Sequence, residues 1–417
     1  MTTTAGREEI LTNITKIVKE KFINPNDLNQ DLDAWEAKAA ERRPAIVNAA
    51  DDVEFEKEVR LLIAQLGASH TAFFHGSGNG IPAPHAISAT LTAFETDRGS
   101  RLVFEDVVED GIAFRAGIGP GDILLGQDDL EIAPPQAPLF ALGKKHTLRV
   151  VPRGSSSERT VEIELPVKGA KDRPPMIEPK SVSYKVLPGG VGLLKIASFP
   201  GASGRVFAQR LDHAVSELLK AHCDRLLIDL RGNIGGGIGS LRLMSYLTPA
   251  RVPIGYSLTR RRLKEGFSKE SLPKISRLPG GRVAEIAMAI RFGVLQKDRS
   301  VAMETEGLGP RPFHGKMAMI INEHSHSAAE MVAAFASTND LVHTVGHRTA
   351  GEVLGGANFR VGSEYRVRIP IAGWYTWTGC PIEAVGVVPR TTVDLTLQAL
   401  KDERDPQLDT ALEALRA

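Results

Sequence analysis

The spacing of apolar residues predicts that the chain begins with helices. In "VEFEKEVRLLIAQLG", apolar residues recur at intervals of four, three and four from Phe55 to Leu66, which places them on one face of a helix. Gly67 follows as a C-terminal cap, and the next stretch, "ASHTAFF", leaves the helical pattern. We therefore expect a helical N-terminal domain over residues 1–80, with Ser69 and His70 in a loop or at the start of a strand.

A second pattern, typical of β-strands, covers residues 84–167. Its short runs are "ISATLTAF", "RLVFEDVV", "HTLRVVPR" and "RTVEIEL". Between them, "DGIAFRAGIGPGDILLGQDDLEI" predicts a short helix that ends at Gly117 and a turn at Pro120-Gly121-Asp122 that leads into a strand. The Lys/Pro-rich segment 168–180 is then expected to be a linker.

From residue 180 to 400, predicted strands alternate with predicted helices, which is typical of α/β layering. The runs in order are "VGLLKIASF", "VFAQRLDHAVSELLKA", "RLLIDL", "IGSLRLMSYL", "KMAMIIN", "AAEMVAAFAS", "LVHTVG" and "YRVRIPIAG". Residues 258–312 mix charged and Gly/Pro-rich stretches and are interpreted as an insertion that could act as a lid. A C-terminal helix is expected over 401–417.

Composition narrows the class of protein. A hydrophobic fraction of 42% and a charged fraction of 24% are typical of a soluble globular protein. The net charge of +1 argues against strong binding to nucleic acid or to an anionic membrane. No run is long enough to span a membrane, and the start lacks a secretory signal. Cys223 and Cys380 form no disulfide framework, so we expect a cytoplasmic protein with free thiols.

The stretch "INEHSHSAAE", residues 321–330, carries the first candidate chemistry. A strand runs into a polar turn, and a helix begins near Ala328. Ser327 and Glu330 form a Ser-x-x-Glu capping box, so Ser327 could simply cap the helix. The same geometry suits a nucleophile, because the hydroxyl stands at the positive end of the helix dipole and the next N–H can face an oxyanion.

A serine nucleophile requires a base, and the residues alone leave several candidates open. His324, His326 and His347 are near in sequence, and His70 is distant.

A glycine-rich segment, "LLIDLRGNIGGGIGS", follows a hydrophobic strand and lets backbone N–H groups approach a ligand closely. It lacks the consensus of a phosphate-binding loop. An oxyanion hole and a tight strand-to-helix turn both remain as interpretations. Asp229 and Arg231 are interpreted as shaping this loop.

Taken in order, these segments resemble the C-terminal processing peptidases and their tricorn-type relatives, which are serine peptidases with a PDZ domain. The order also includes "TVGHRTAGE" and "GCPIEAVGVVP", and the resemblance spans roughly residues 50–390. It implies an α+β fold with a helical N-terminal domain, a PDZ-like β domain and a crotonase-like β/α catalytic core. A "GLGF"-type loop for capture of a peptide carboxylate is not evident.

The resemblance also implies roles for individual residues. Ser327 falls at the nucleophile, and Ala328 with Gly235 or Gly236 at the oxyanion hole. The lysine of the Ser-Lys members is here Glu352, a much weaker base, which excludes a Ser-Lys dyad.

Tricorn-type members instead use a histidine preceded by a serine. Ser69 and His70 match that pair, with His70 as the base. Glu352 is expected to orient the imidazole through Ser69 or a similar hydroxyl.

The function implied is that of a serine endopeptidase acting on peptides or unfolded protein. A catalytically inactive binding protein of the same fold and an esterase of small substrates are the alternatives. Neither a cofactor nor a metal is expected, because no ligand spacing is present. Nucleic acid and membranes are not expected as partners, and the resemblance implies that homo-oligomers occur.

Overall fold

The computed structural model describes residues 2–23, 32–76, 83–166, 180–201, 203–291, 298, 300–309 and 313–416. The predicted linker at 168–180 lies outside the described residues except for Lys180. Part of the predicted insertion at 258–312 lies outside them as well.

Within these residues the chain forms a mixed α/β structure with three sheets. The α-helices are α1 (Thr4–Lys21), α2 (Leu32–Val47), α3 (Asp52–Ala64), α4 (Ile112–Arg115), α5 (Arg205–Lys220), α6 (Ser240–Tyr246), α7 (Arg260–Glu265), α8 (Arg282–Ile290), α9 (Ala328–Thr338), α10 (Leu397–Lys401) and α11 (Pro406–Arg416). Short 3₁₀ helices lie at Pro84–Ile87 and Lys269–Ser271.

The strands lie among these helices in the sequence. They are β1 (Ala72–His75), β2 (Ala89–Thr96), β3 (Gly99–Val107), β4 (Ile123–Gln127), β5 (Leu130–Glu131), β6 (Lys145–Val151), β7 (Arg159–Glu164), β8 (Val182–Leu187), β9 (Val191–Ile196), β10 (Arg225–Asp229), β11 (Pro253–Thr259), β12 (Lys274–Ile275), β13 (Val301–Glu304), β14 (Lys316–Ile321), β15 (His343–Gly346), β16 (Leu354–Arg360), β17 (Tyr365–Thr376) and β18 (Thr391–Thr392).

The N-terminal helices form a core of their own and deliver the chain to the first strand. The predicted face of α3 is confirmed, since the side chains from Phe55 to Leu66 that form it are fully buried. Phe55 packs edge-on against Phe73 of β1 at 5.8 Å and against Tyr365 of β17 at 5.6 Å. Because β1 pairs antiparallel with β17, the loop that carries Ser69 and His70 is anchored at both ends.

The second unit is an antiparallel sheet, here called the β2–β7 sheet, in the order β2-β3-β4-β6-β7 with β5 paired to β4. The predicted runs coincide with β2, β3, β6 and β7. The short helix α4 precedes Gly117, whose φ of 78° is the left-handed conformation that glycine adopts without strain. Phe104, Leu124 and Leu148 lie in the core that this sheet covers.

A largely parallel sheet, in the order β18-β15-β14-β10-β9-β8, carries the predicted α/β alternation. Helices α5, α6 and α9 cover one face, and α11 covers the other. Strands β10 and β14 are parallel neighbours, with Asp229 opposite Ile320. Because the carboxyl ends of parallel strands meet at one edge, the glycine-rich loop after β10 lies beside the serine-containing turn after β14.

The third sheet has the order β1-β17-β11-β13-β12, with β16 paired to β17. Strands β12 and β13 fall within residues 258–312, so the described part of this predicted insertion is joined to the sheet by hydrogen bonds. None of the helices in the described ranges has the length and apolar character needed to cross a membrane.

A buried ion pair fixes the start of the glycine-rich loop. The Arg231 guanidinium donates to both carboxylate oxygens of Asp229, at 3.0 and 2.9 Å, and to Asp405 before α11, at 3.0 and 2.7 Å. Burial opposes ionisation of Asp229, but the charges of Arg231 and Lys195 outweigh it and lower the pKa of Asp229. The expected loop-shaping role of Asp229 and Arg231 agrees with these contacts.

Candidate active site

Ser327 lies at a sharp turn between the central strand β14 and helix α9. Its backbone has φ 53° and ψ −115°, whereas an ordinary N-cap residue is extended. A positive φ at a residue other than glycine is strained and is common at functional sites. The predicted capping box with Glu330 is present, but capping a helix does not require a strained backbone. A strand, a strained turn and a helix in this order form the elbow on which several serine hydrolases carry their nucleophile.

Glu330 holds this turn through a buried carboxylate that accepts four hydrogen bonds. It accepts the N–H groups of Ser327 at 3.0 Å, Gly351 at 2.6 Å and Glu352 at 2.8 Å, and the Thr349 hydroxyl at 2.7 Å. Burial raises the pKa of Glu330, and the hydrogen bonds oppose that rise. The carboxylate therefore ties the serine turn to the turn at 349–352.

The glycine-rich loop approaches Ser327 more closely than a larger residue would permit. A Cβ on Gly235, whose φ is 80°, would lie 2.6 Å from Cβ of Ser327 and 2.9 Å from N of Ala328. A Cβ on Gly236 would lie 2.2 Å from the Phe199 carbonyl oxygen. The chain requires glycine at both positions, because Gly235 packs against the serine turn and Gly236 packs against the backbone of Phe199.

Two backbone donors at this contact remain available for a ligand. The Gly235 N–H donates to Asn233 Oδ1 at 2.8 Å. In the described part of the chain, by contrast, the N–H groups of Gly236 and Ala328 donate to no protein acceptor. Of the two glycines named as candidates for an oxyanion hole, the geometry thus favours Gly236.

Ser69 and His70 lie in the loop between α3 and β1, where they form a chain of hydrogen bonds with Glu383. Ser69 Oγ lies 2.8 Å from His70 Nδ1 and donates to Glu383 Oε2 at 3.0 Å. Because the hydroxyl has one proton and gives it to Glu383, it accepts the proton of Nδ1. This assignment leaves Nε2 of His70 as the unprotonated, basic nitrogen.

Glu383 is buried and is fixed by the backbone as well. Its Oε1 accepts the Ser69 N–H at 3.0 Å, and its Oε2 accepts the Val353 N–H at 2.7 Å. Burial raises the pKa of this carboxyl, and these hydrogen bonds oppose the rise.

The surroundings of His70 suit a general base. Burial lowers its pKa below the ordinary value, the negative charge of Glu352 opposes that shift, and the positive charges of Arg368 and His326 add to it. The imidazole is therefore neutral near pH 7 and can accept a proton. Glu352 and His326 lie close enough to act on His70, which brings the histidine loop to the serine turn.

Glu352 does not occupy the place that the sequence analysis gave it. The carboxylate bound to Ser69 is Glu383, whereas Glu352 is half-exposed and its Oε2 lies 3.1 Å from His326 Nδ1. The physical reason is that the return of the chain after β17 brings Glu383 beneath Ser69, a contact between residues 314 positions apart. Glu383 lies within "GCPIEAVGVVP", one of the segments that carry the family resemblance. A carboxylate in that segment is the sequence feature that could have identified the partner of Ser69.

The remaining candidate histidines have other partners. His324 Nε2 lies 2.8 Å from Thr92 Oγ1 of β2. His347 is about half exposed and lies near Glu323 and Asp394. His326 binds Glu352, and its ring packs against that of His85 at 5.2 Å. Among the candidates, His70 is the one bound to a Ser–Glu pair.

One group of potential metal ligands occurs among the described residues, formed by Glu105, Glu323 and His324. Glu105 already accepts hydrogen bonds from Thr92 and Asn322. These contacts make the group a hydrogen-bond network, and we assign no metal to it.

Comparisons with known proteins show what this chain is similar to. Residues 190–393, which include Ser327 and Glu383, match the model of Peptidase family S41. A curated protein of Streptomyces coelicolor, named as a tricorn protease homologue, is 24% identical over 430 residues. That alignment covers 95% of this chain and 31% of the relative, so the chain spans about a third of the relative's length. The resemblance to C-terminal processing and tricorn-type peptidases, stated from the sequence, is confirmed.

Solved structures share the fold at low sequence identity. A photosystem II D1 C-terminal processing protease is 14% identical with a TM-score of 0.56, and 99% of this chain and 98% of that chain are covered. Mature CPAF in complex with lactacystin is 15% identical with a TM-score of 0.58 and the same coverage of both chains. An S41 protease from Bacteroides fragilis is 15% identical with a TM-score of 0.54, over 97% and 96% of the two chains. These likenesses show the fold.

The contact between Gly235 and the serine turn yields a stability prediction. Gly235→Ala should lower the free energy of unfolding by about 1–2 kcal/mol for the positive φ and by about 1–3 kcal/mol more for the overlap with Ser327. Gly201→Ala is the matched control, because Gly201 has φ 82° and open space around its Cβ. Denaturant titration measures both variants, and equal losses would contradict the close approach.

Proposed function

We propose, from the Peptidase S41 domain at residues 190–393 and the geometry around Ser327, that this chain is a serine peptidase that cleaves peptide bonds through an acyl-enzyme on Ser327. The observation that carries the proposal is the hydrogen-bonded chain from His70 through Ser69 to Glu383. It supplies a neutral, oriented imidazole beside a strained serine turn. The predicted enzyme class, a serine-type peptidase, is supported by the same family match.

The first step uses His70 as the base. Ser327 Oγ attacks the carbonyl carbon of the peptide, and its proton passes to Nε2 of His70. The imidazolium that forms keeps its Nδ1–H on Ser69 Oγ, and Ser69 in turn donates to the Glu383 carboxylate. The negative charge at the end of this relay stabilises the cation, which is the part an aspartate plays by direct contact in a Ser-His-Asp triad.

The charge that develops on the carbonyl oxygen requires donors on the opposite side. The free N–H groups of Gly236 and Ala328 are our candidates for this oxyanion hole, and Ala328 adds the positive end of the α9 dipole. Collapse of the tetrahedral intermediate breaks the C–N bond, and His70 returns the proton to the leaving amine. Water then hydrolyses the acyl-enzyme by the same route in reverse.

Substrates are proposed to be peptides or unfolded protein segments. The names of the similar structures describe proteases, one of them a C-terminal processing protease. The geometry adds that Ile234, at the tip of the glycine-rich loop, is substantially exposed beside the serine turn. An apolar side chain at this point favours contact with an apolar residue of the substrate.

Labelling with a fluorophosphonate tests the nucleophile and its base together. We expect modification at Ser327, mapped by mass spectrometry, and its loss in His70→Ala. Casein hydrolysis should fall by at least about 10³-fold in Ser327→Ala. His347→Ala is the matched histidine control and should label normally. Labelling that survives His70→Ala but disappears in His326→Ala would move the base to His326.

Absence of both labelling and turnover would contradict the proposal and favour a binding protein. Turnover of small esters without that of casein would favour an esterase.

Glu383→Gln should lower kcat by about 10²- to 10⁴-fold, as loss of the orienting carboxylate does in related triads. Each Glu383 oxygen accepts a backbone N–H, so an amide necessarily turns one acceptor into a donor and disrupts the relay. Glu352→Gln is the contrast, because Glu352 does not contact Ser69. Steady-state kinetics on a peptide substrate measures kcat of both variants. A larger loss of kcat in Glu352→Gln than in Glu383→Gln would show that Glu352 is the carboxylate of the relay.

The charges around His70 predict opposite shifts of the pH profile. Turnover rises with pH as His70 loses its proton, so the acid limb of kcat/KM reports its pKa. Burial lowers this pKa and Glu352 raises it, so Glu352→Gln should move the limb to lower pH. Arg368→Gln removes a charge that lowers the pKa and should move the limb to higher pH. Low salt keeps both shifts measurable, because it screens the charges least. Shifts of the same sign would exclude His70 as the titrating base.

A further inference from the structure

Asn322 connects the two halves of the proposed oxyanion hole. It follows β14 directly and is fully buried. Its Oδ1 accepts the N–H of Gly232, at the start of the glycine-rich loop, at 3.2 Å, and the N–H of His324, in the serine turn, at 3.2 Å. Its backbone exchanges hydrogen bonds with Ser325, two residues before Ser327. One amide side chain therefore sets the distance between the two loops.

The other end of the Asn322 side chain is held from a different sheet. Its Nδ2 donates to Glu105 Oε1 at 3.0 Å and to Asp106 Oδ2 at 3.0 Å, near the end of β3 in the β2–β7 sheet. Both carboxylates are buried. An asparagine amide has two N–H donors and one acceptor oxygen, and every one of them is used. The amide can thus occupy one orientation only.

Asp106 also packs directly against the glycine-rich loop. A Cβ on Gly232, whose φ is 67°, would lie 3.0 Å from Cβ of Asp106. Lys195 of β9 lies between Asp106 and Asp229, at 3.8 and 3.5 Å from their carboxylates. The end of β3 is consequently in contact with the loop as well as with Asn322.

A second connection runs from Glu105 to the serine turn. The Thr92 hydroxyl donates to Glu105 Oε2 at 2.5 Å and lies 2.8 Å from His324 Nε2. Burial, the adjacent charge of Asp106 and that of Glu323 raise the pKa of Glu105 to about 7. The charged groups that face Glu105 are Asp106 on its own strand and Glu323 and His324 on the turn.

We propose that Asn322 is a positioning residue for the oxyanion hole, and that Glu105 and Asp106 make the β2–β7 sheet an obligatory part of the active site by holding it. The inference rests on the proposed function. Gly236 and Ala328 belong to different loops, and the Asn322 amide is their shared support. Displacement of a catalytic group by about 1 Å can cost on the order of 10²-fold in rate. The effect should fall on kcat, because the oxyanion forms only in the transition state.

An exchange of the amide of Asn322 and the carboxylate of Asp106 between the serine turn and the β2–β7 sheet tests this inference. Asn322→Asp keeps an acceptor for Gly232 but sets a third carboxylate against Glu105 and Asp106, so kcat should fall by about 10²-fold with little change in KM. Asp106→Asn added to this variant restores a donor–acceptor pair and should recover about tenfold or more in kcat. Glu131→Gln, an exposed carboxylate of the same sheet, is the control and should leave kcat unchanged.

The pH dependence separates repulsion from general damage. The loss in Asn322→Asp should diminish as the pH falls and the carboxylate cluster takes up protons, whereas the exchanged pair should follow the wild-type profile. A merely structural defect would not be relieved by acid or by the second substitution. A folded Asn322→Asp with wild-type kcat, or an exchanged pair that recovers nothing, would overturn the inference.

Amide hydrogen exchange gives a readout that needs no turnover. In Asn322→Ala, the segments 230–239 and 322–328 should exchange faster than in the wild type, and Asp106→Ala should give the same result from the other side of the interface. Unchanged exchange in both variants would overturn the inference. If the wild type shows no Ser327-dependent turnover, the proposed function fails, and the exchange experiment still decides the role of Asn322.

Discussion

The buried carboxylate of Glu330 is the interaction on which the serine turn depends. A positive φ at a residue such as Ser327 costs on the order of 1–3 kcal/mol and persists only where the surroundings fix it. Glu330 supplies that constraint, because it accepts the N–H of Ser327 from one side and those of Gly351 and Glu352 from the other. Ser327 and the turn that carries Glu352 are thereby fixed relative to one another, and Gly235 can pack against both Ser327 and Ala328.

A second constraint brings His70, the proposed base, to this turn from another sheet. His70 precedes β1, and β1 pairs with β17, whose chain returns after Thr376 to place Glu383 beneath Ser69. Glu383 also accepts the Val353 N–H, just after the turn held by Glu330. The two carboxylates thus bind adjacent stretches of one segment, 351–353. The position of the histidine relay relative to Ser327 follows from this shared support.

Periodic features of the sequence predicted the fold well. The spacing of apolar residues predicted the buried face of α3 from Phe55 to Leu66. The capping box predicted the start of the helix after Ser327. The choice between Glu352 and Glu383 lies beyond such signals. It depends on the pairing of β1 with β17 and on the path of the chain after that strand, and both bring together residues about 300 positions apart. The support of Asn322 by the β2–β7 sheet is non-local in the same way.

Glu352 illustrates how one charge at the end of a turn decides which group can act as base. A lysine there, as in the Ser-Lys peptidases, would bring its own amine to the serine turn. A carboxylate cannot replace that amine, but Glu352 binds His326 and raises the pKa of His70, so it favours the imidazolium that the proposed mechanism forms when Ser327 loses its proton. Burial and Arg368 act in the opposite direction and keep His70 neutral beforehand. A general base must be neutral before it takes the proton and stable as a cation afterwards. Burial and Arg368 favour the neutral imidazole of His70, whereas Glu352 and the carboxylate of Glu383 favour the cation, so the surroundings suit both states.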